Sequence, residues 1–60
     1  MQYVIIKYPA LSIHGEHMPM WLYTEPLQVF KEKENSIIVS HNGNEFYTYE
    51  FDKKYIERYL

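Results

Sequence analysis

No helical period runs through the first fifty residues of this chain. Short β-branched and aromatic runs are separated instead by prolines, glycines and charges. "YVIIKY" is such a run, and Pro9 ends it, which predicts a strand from Tyr3 to Tyr8. Val4, Ile6 and Tyr8 then share one face, and Tyr3, Ile5 and Lys7 the other. From Pro9 to Glu25 no period holds, and Pro9, Gly15 and Pro19 mark a long loop. Pro26 opposes a helix or a central strand through that point, so the second strand is predicted over Leu27 to Lys31. "KEKEN" reads as a charged, solvated turn.

Ser36 to His41 reads as a third strand. "HNGN" follows it, and Asn-Gly between two β-rich runs is the strongest short-range hairpin signal. The return strand is predicted over Glu45 to Phe51, with Tyr47, Tyr49 and Phe51 on one face and Phe46 on the other. The period then changes. Asp52 is a good N-cap, and Tyr55, Ile56, Tyr59 and Leu60 form an apolar stripe suited to a short helix. A single 3-10 turn followed by extended residues is the other outcome.

This order of strand, long loop, three-strand meander and terminal turn resembles the SH3-like small β-barrels. The likeness rests on the loop from Pro9 to Glu25, the meander "PLQVF", "SIIVSH", "NGN", "EFYTYEF", and the "DKKYI" after it. It implies a mainly β fold: a small antiparallel five-stranded barrel with a short C-terminal helix or 3-10 turn. It also implies binding rather than catalysis. The peptide-binding signatures of true SH3 domains are missing. There is no ALYDY-like run in the first loop, no paired Trp opening the third strand and no Ser-Asn-Tyr in the last turn. Proline-peptide binding is therefore not carried over.

Length limits the chain to a single domain over residues 1–60. So small a domain buries only about 60% of its unfolded surface. No cysteine is present, so neither a disulfide nor a zinc–thiolate cluster can compensate. Seven Tyr, three Phe and one Trp supply the apolar mass instead, either as core or as a self-association surface. The lack of cysteine fits a reducing compartment. The run "VII" is too short for a signal peptide or a membrane span, so the expectation is a soluble, cytoplasmic protein. The net charge of −2 lacks the basic surplus of a nucleic-acid binder.

The densest chemistry is "HGEHMPMW", residues 14–21. His14 and His17 flank Glu16, but their spacing fits no strong metal motif, and Gly15 and Pro19 oppose the helix that H-E-x-x-H needs. No metal and no cofactor are expected. The sequence has no nucleophile elbow, phosphate loop or cysteine nucleophile, so no enzyme is expected either. Met18, Met20, Trp21 and Tyr23 follow in quick succession, and these residue types suit an adaptable protein interface. If extended, Met18, Met20 and Leu22 face one way, and Trp21 and Tyr23 the other. One small core cannot easily hold both sets. The partner-binding candidates are therefore His14, His17, Met18, Met20, Trp21 and Tyr23, with the histidines as a polar rim. The competing assignment makes Trp21 a plug at the barrel end.

The functional expectation is a non-enzymatic protein–protein interaction module that can also self-associate. Its size and style suit a small accessory or inhibitor protein of the kind phages and mobile elements encode. The alternative is a single-stranded nucleic-acid-binding barrel that stacks bases on Tyr3, Phe46, Tyr47 and Tyr49.

Overall fold

The computed structural model describes residues 2–60. Its elements run β1 (Tyr3–Ile6), a 3-10 turn (Met20–Thr24), β2 (Leu27–Glu32), β3 (Ser36–Ser40), β4 (Thr48–Asp52), a second 3-10 turn (Lys53–Tyr55) and β5 (Ile56–Tyr59). All five strands join one sheet in the order β4-β3-β2-β1-β5, and every pairing is antiparallel. The chain is thus mainly β, as expected. The sheet is not closed into the expected barrel, because β4 and β5 are its two outer strands. Of the two outcomes for the last segment, the structure takes the 3-10 turn followed by extended residues. Asp52 caps that turn, its carboxylate accepting the Lys54 N–H at 3.0 Å.

Two bulges coil the sheet. In β2 the register shifts between Val29 and Lys31, so Phe30 is the extra residue. In β1 against β5 it shifts between Ile5 and Ile6. An extra residue on one strand bends it and increases its twist. The inner face that results holds Val4, Ile6, Leu27, Ile37, Val39 and Phe51, each no more than 1% exposed. Period-two alternation puts them on one side, since paired residues across a ladder share a face. Val4 pairs with Leu27, and Ile37 with Phe51.

No helix covers this face. The segment between β1 and β2 does so, contributing Ala10, Met18, Leu22 and Tyr23 to the same core. One hydrogen bond closes the segment on itself and another ties it to the sheet. The Tyr23 hydroxyl donates to the Ala10 carbonyl at 2.8 Å, and the Ile13 N–H donates to the Glu50 carbonyl at 2.9 Å. The second bond also satisfies part of the free edge of β4.

The Asn-Gly turn forms as its residues demand. Asn42 and Gly43 have φ of 57° and 69°, and Asn44 N–H reaches the His41 carbonyl at 3.2 Å. Both positive φ values belong to the mirror-image turn that matches strand twist. The expected return strand does not start at once, however. Asn44 starts a second turn: its carbonyl accepts from Tyr47 N–H at 3.1 Å and its Oδ1 from Phe46 N–H at 2.9 Å. The ladder resumes only at Ser40 opposite Thr48. Residues 45–47, expected as strand, are therefore loop, and Phe46 and Tyr47 leave the sheet. At the other end, β1 stops at Ile6 rather than Tyr8, and Tyr8 lies exposed.

Glu50 on β4 anchors a small polar cluster. Its carboxylate accepts from Ser36 Oγ at 2.5 Å and pairs with Lys33 Nζ at 3.1 Å. The Ser36 hydrogen bond and then that of Lys33 hold its pKa below the usual glutamate value; desolvation opposes them, and the charges of Lys33 and His14 add smaller lowering effects. A lowered folded pKa stabilises the fold above the unfolded value of about 4.3, and the benefit is lost as pH falls through the folded value.

Two outcomes follow. Thermal melts of the wild type are expected to fall on acidification below about pH 4.3, and those of Glu50→Gln to fall less. Parallel pH profiles would remove Glu50 as a cause. Gly43→Ala must hold a left-handed φ, and its new Cβ would meet Gln28 Oε1 at 2.7 Å. It is expected to lower stability by about 1 kcal/mol in denaturant melts.

Candidate functional site

The segment of residues 14–21 is three structures in a row. Its start is a tight turn built on Ser12. The Ser12 hydroxyl accepts the N–H groups of His14 and Glu16 at 3.2 and 3.0 Å, and the Ser12 N–H donates to the Glu16 carbonyl at 2.9 Å. Gly15 takes a φ of +82° at its tip. Leu11 and His17 then pair as an isolated antiparallel bridge. His14 and His17 are both exposed on this turn. Among the described residues no three His, Cys, Asp or Glu side chains gather closely enough to hold a metal ion.

The middle is Met18, which is 4% exposed and belongs to the core. The end is the 3-10 turn from Met20 to Thr24, entered through Pro19. A 3-10 turn has three residues per turn. It carries Leu22 and Tyr23 inward, at 5% and 7% exposure, and leaves Met20 and Trp21 outside, at 68% and 55%. This differs from the expected strand alternation, which grouped Met18 with Met20 and Trp21 with Tyr23. Met18 and Tyr23 are accordingly withdrawn from the surface set, since a buried side chain offers nothing to a partner. Tyr23 also spends its hydroxyl on Ala10 and its ring edge on Tyr8, with centroids 5.1 Å apart. Nor does Trp21 act as a buried plug.

Trp21 instead forms one wall of a groove. The groove has a volume of about 420 Å³ and is lined by Pro19, Trp21, Leu22, His41, Asn42, Asn44, Tyr47 and Tyr49. The 3-10 turn supplies one side, the 41–47 loop another, and β4 contributes Tyr49. Trp21 meets His41 edge to face, with ring centroids 4.9 Å apart. None of the lining residues is Lys, Arg, Asp or Glu. Beside the groove, Tyr47 is 68% exposed, and Phe46 in the same loop is 86% exposed.

The surface candidates His14, His17, Met20 and Trp21 thus share one long connection, but only Trp21 lines the groove. The loop residues His41, Asn42 and Asn44 escaped the sequence reading as site residues, and Tyr47 and Tyr49 entered it only as base-stacking candidates. Their signal was present in Asn44, which accepts locally and starts a second turn. That turn removes two aromatic residues from the strand.

Packing separates the two methionines. Met18→Ala is expected to cost about 2–4 kcal/mol in chemical denaturation, as buried Met truncations do. Met20→Ala is expected to stay within about 0.5 kcal/mol of wild type. Equal costs would contradict this division of the segment.

No protein-family model matches this chain, and neither the curated proteins nor the solved structures contain a match to it.

Proposed function

We propose that the chain is a single-domain, non-enzymatic interaction module with the SH3-like layout, and that it binds another protein through the groove beside Trp21. The layout has four supports. They are the strand order β4-β3-β2-β1-β5, the long covering segment after β1, the bulge in β2 and the 3-10 turn before β5. The likeness lies in the order of elements, and the binding groove is argued from this chain's own residues.

One observation carries the functional reading. Trp21 and Tyr47 stand exposed in the lining of a mostly apolar groove without Lys, Arg, Asp or Glu, and Met20 and Phe46 are exposed in the same two chain segments, in a chain whose small core could have used them. Exposed apolar patches of this kind mark interaction sites, and Trp and Tyr dominate hot spots. Asn42, Asn44 and His41 add hydrogen-bonding groups at the same place. The nucleic-acid reading has less support here. No Lys or Arg lines the groove, and Lys33 and Lys53 are already paired with Glu50 and Glu32. Phosphate contacts are what non-specific nucleic-acid affinity depends on.

Selection from a displayed random-peptide library tests the reading. Peptides chosen by the wild type are expected to lose about thirtyfold or more in affinity for Trp21→Ala, the scale of a hot spot of about 2 kcal/mol. The circular dichroism of the variant should match wild type, because the ring is half outside the fold. Peptides that bind both proteins equally would remove the groove as the site. Tight, salt-sensitive binding to a single-stranded oligonucleotide, lost in Lys54→Glu, would favour the other function.

A further inference from the structure

We infer that the groove is a self-pairing site, in which two copies dock about a twofold axis and each offers Phe46 to the other's groove. This rests on the reading of the groove as a docking surface and specifies one occupant for it.

Geometry is the first support. A twofold interface is made of the same patch on both copies, so the patch must complement itself. It therefore needs a projecting group and a recess side by side. Among the described residues Phe46 is the most exposed of the large apolar ones, at 86%. It lies in the chain between Asn44 and Tyr47, both of which line the recess of about 420 Å³. The 41–47 loop thus carries the projection and part of the recess together. The Phe46 N–H is tied to Asn44 Oδ1 at 2.9 Å, which fixes the backbone beneath the ring before any docking occurs. A preset projection loses little conformational freedom on binding.

Area is the second support. A stable dimer hides about 800 Å² per copy, roughly a fifth of the 4127 Å² that this chain exposes. Rings of about 200 Å² each, exposed to 55%, 86% and 68% at Trp21, Phe46 and Tyr47, present roughly 400 Å². Half of one side of the interface is therefore aromatic surface already in place. Met20, next to Trp21 in the chain, is also exposed, at 68%.

Charge is the third support. Two identical surfaces bring like charges together wherever they carry them, and like-charge juxtaposition is costly. The recess carries no Lys, Arg, Asp or Glu. Glu45 is exposed beside Phe46 and belongs at the rim, where water screens it.

The test is sedimentation velocity of the full chain from about 1 µM to about 1 mM, with Trp21 emission read on the same samples. Standard-size interfaces run from micromolar to picomolar affinity, so a dimer already complete at the lowest concentration supports the inference as an equilibrium within the range does. The expected result is a reversible monomer–dimer equilibrium, with emission shifting to the blue as dimer forms. Phe46→Glu is expected to weaken pairing more than tenfold with unchanged circular dichroism. Met20→Glu is the second variant should that one misfold, and its expected effect is the same. Phe30→Glu, on the bulge of β2, is expected to pair like wild type. A wild type that stays monomeric throughout overturns the inference, as does a folded Phe46→Glu that pairs normally. Peptide selection at micromolar concentration reads the groove independently. A monomeric chain that still needs Trp21 for peptide binding overturns the self-pairing alone.

Discussion

The inner face of a five-stranded sheet has to be covered, and among the described residues there is no α-helix with which to cover it. The rest of the structure depends on that constraint. Val4, Ile6, Leu27, Ile37, Val39 and Phe51 would otherwise face water. Leaving a Val, Leu, Ile or Phe side chain exposed forfeits about 1.5–3 kcal/mol each. The connection between β1 and β2 is therefore both lid and loop. It has an apolar underside of Ala10, Met18, Leu22 and Tyr23, a polar fastening to β4 from the Ile13 N–H to the Glu50 carbonyl, and an internal tie from the Tyr23 hydroxyl to Ala10.

That double duty sets the position of the candidate site. One 3-10 turn in this connection buries Leu22 and Tyr23 and not Met20 and Trp21. Positions i and i+3 of such a turn share a face, so its period alone does not separate Met20 from Tyr23. The turn meets the sheet only from Leu22 onward, and Met20 and Trp21 stay outside. The 41–47 loop rises opposite, because Asn44 adds a second turn to the Asn-Gly hairpin. A recess is left where the two meet. The groove is thus a by-product of how the lid is anchored and how the hairpin is extended. Its lining holds no Lys, Arg, Asp or Glu.

The aromatic residues show the same logic. Seven of the eleven, among them Trp21, Phe46 and Tyr47, are exposed, whereas the core is mostly aliphatic. Branched aliphatic side chains fill the narrow space between a coiled sheet and a single layer of loop, and only Tyr23 and Phe51 among the rings are buried there. The rings outside are surface the fold does not consume, which is why the functional argument rests on them.

The existence of the strands was legible in the sequence. Period-two alternation, the punctuation by Pro9 and Pro26, the Asn-Gly turn and the Asp52 cap are local signals, each read from a few neighbouring residues. Their consequences in the fold are local too. Strand ends were less legible, since Asn44 competes for its neighbours' backbone and β4 begins at Thr48. The division of residues 14–23 was not legible. Met18 and Met20 are the same residue type two positions apart, and only the demand of the sheet beneath draws one in and leaves the other out. The groove was less legible still, because its walls are about twenty residues apart in the chain. Alternation and turn chemistry by themselves determined a mainly β chain and its order of elements. The tertiary structure alone decided which aromatic residues are surface, because that depends on which face the lid must cover.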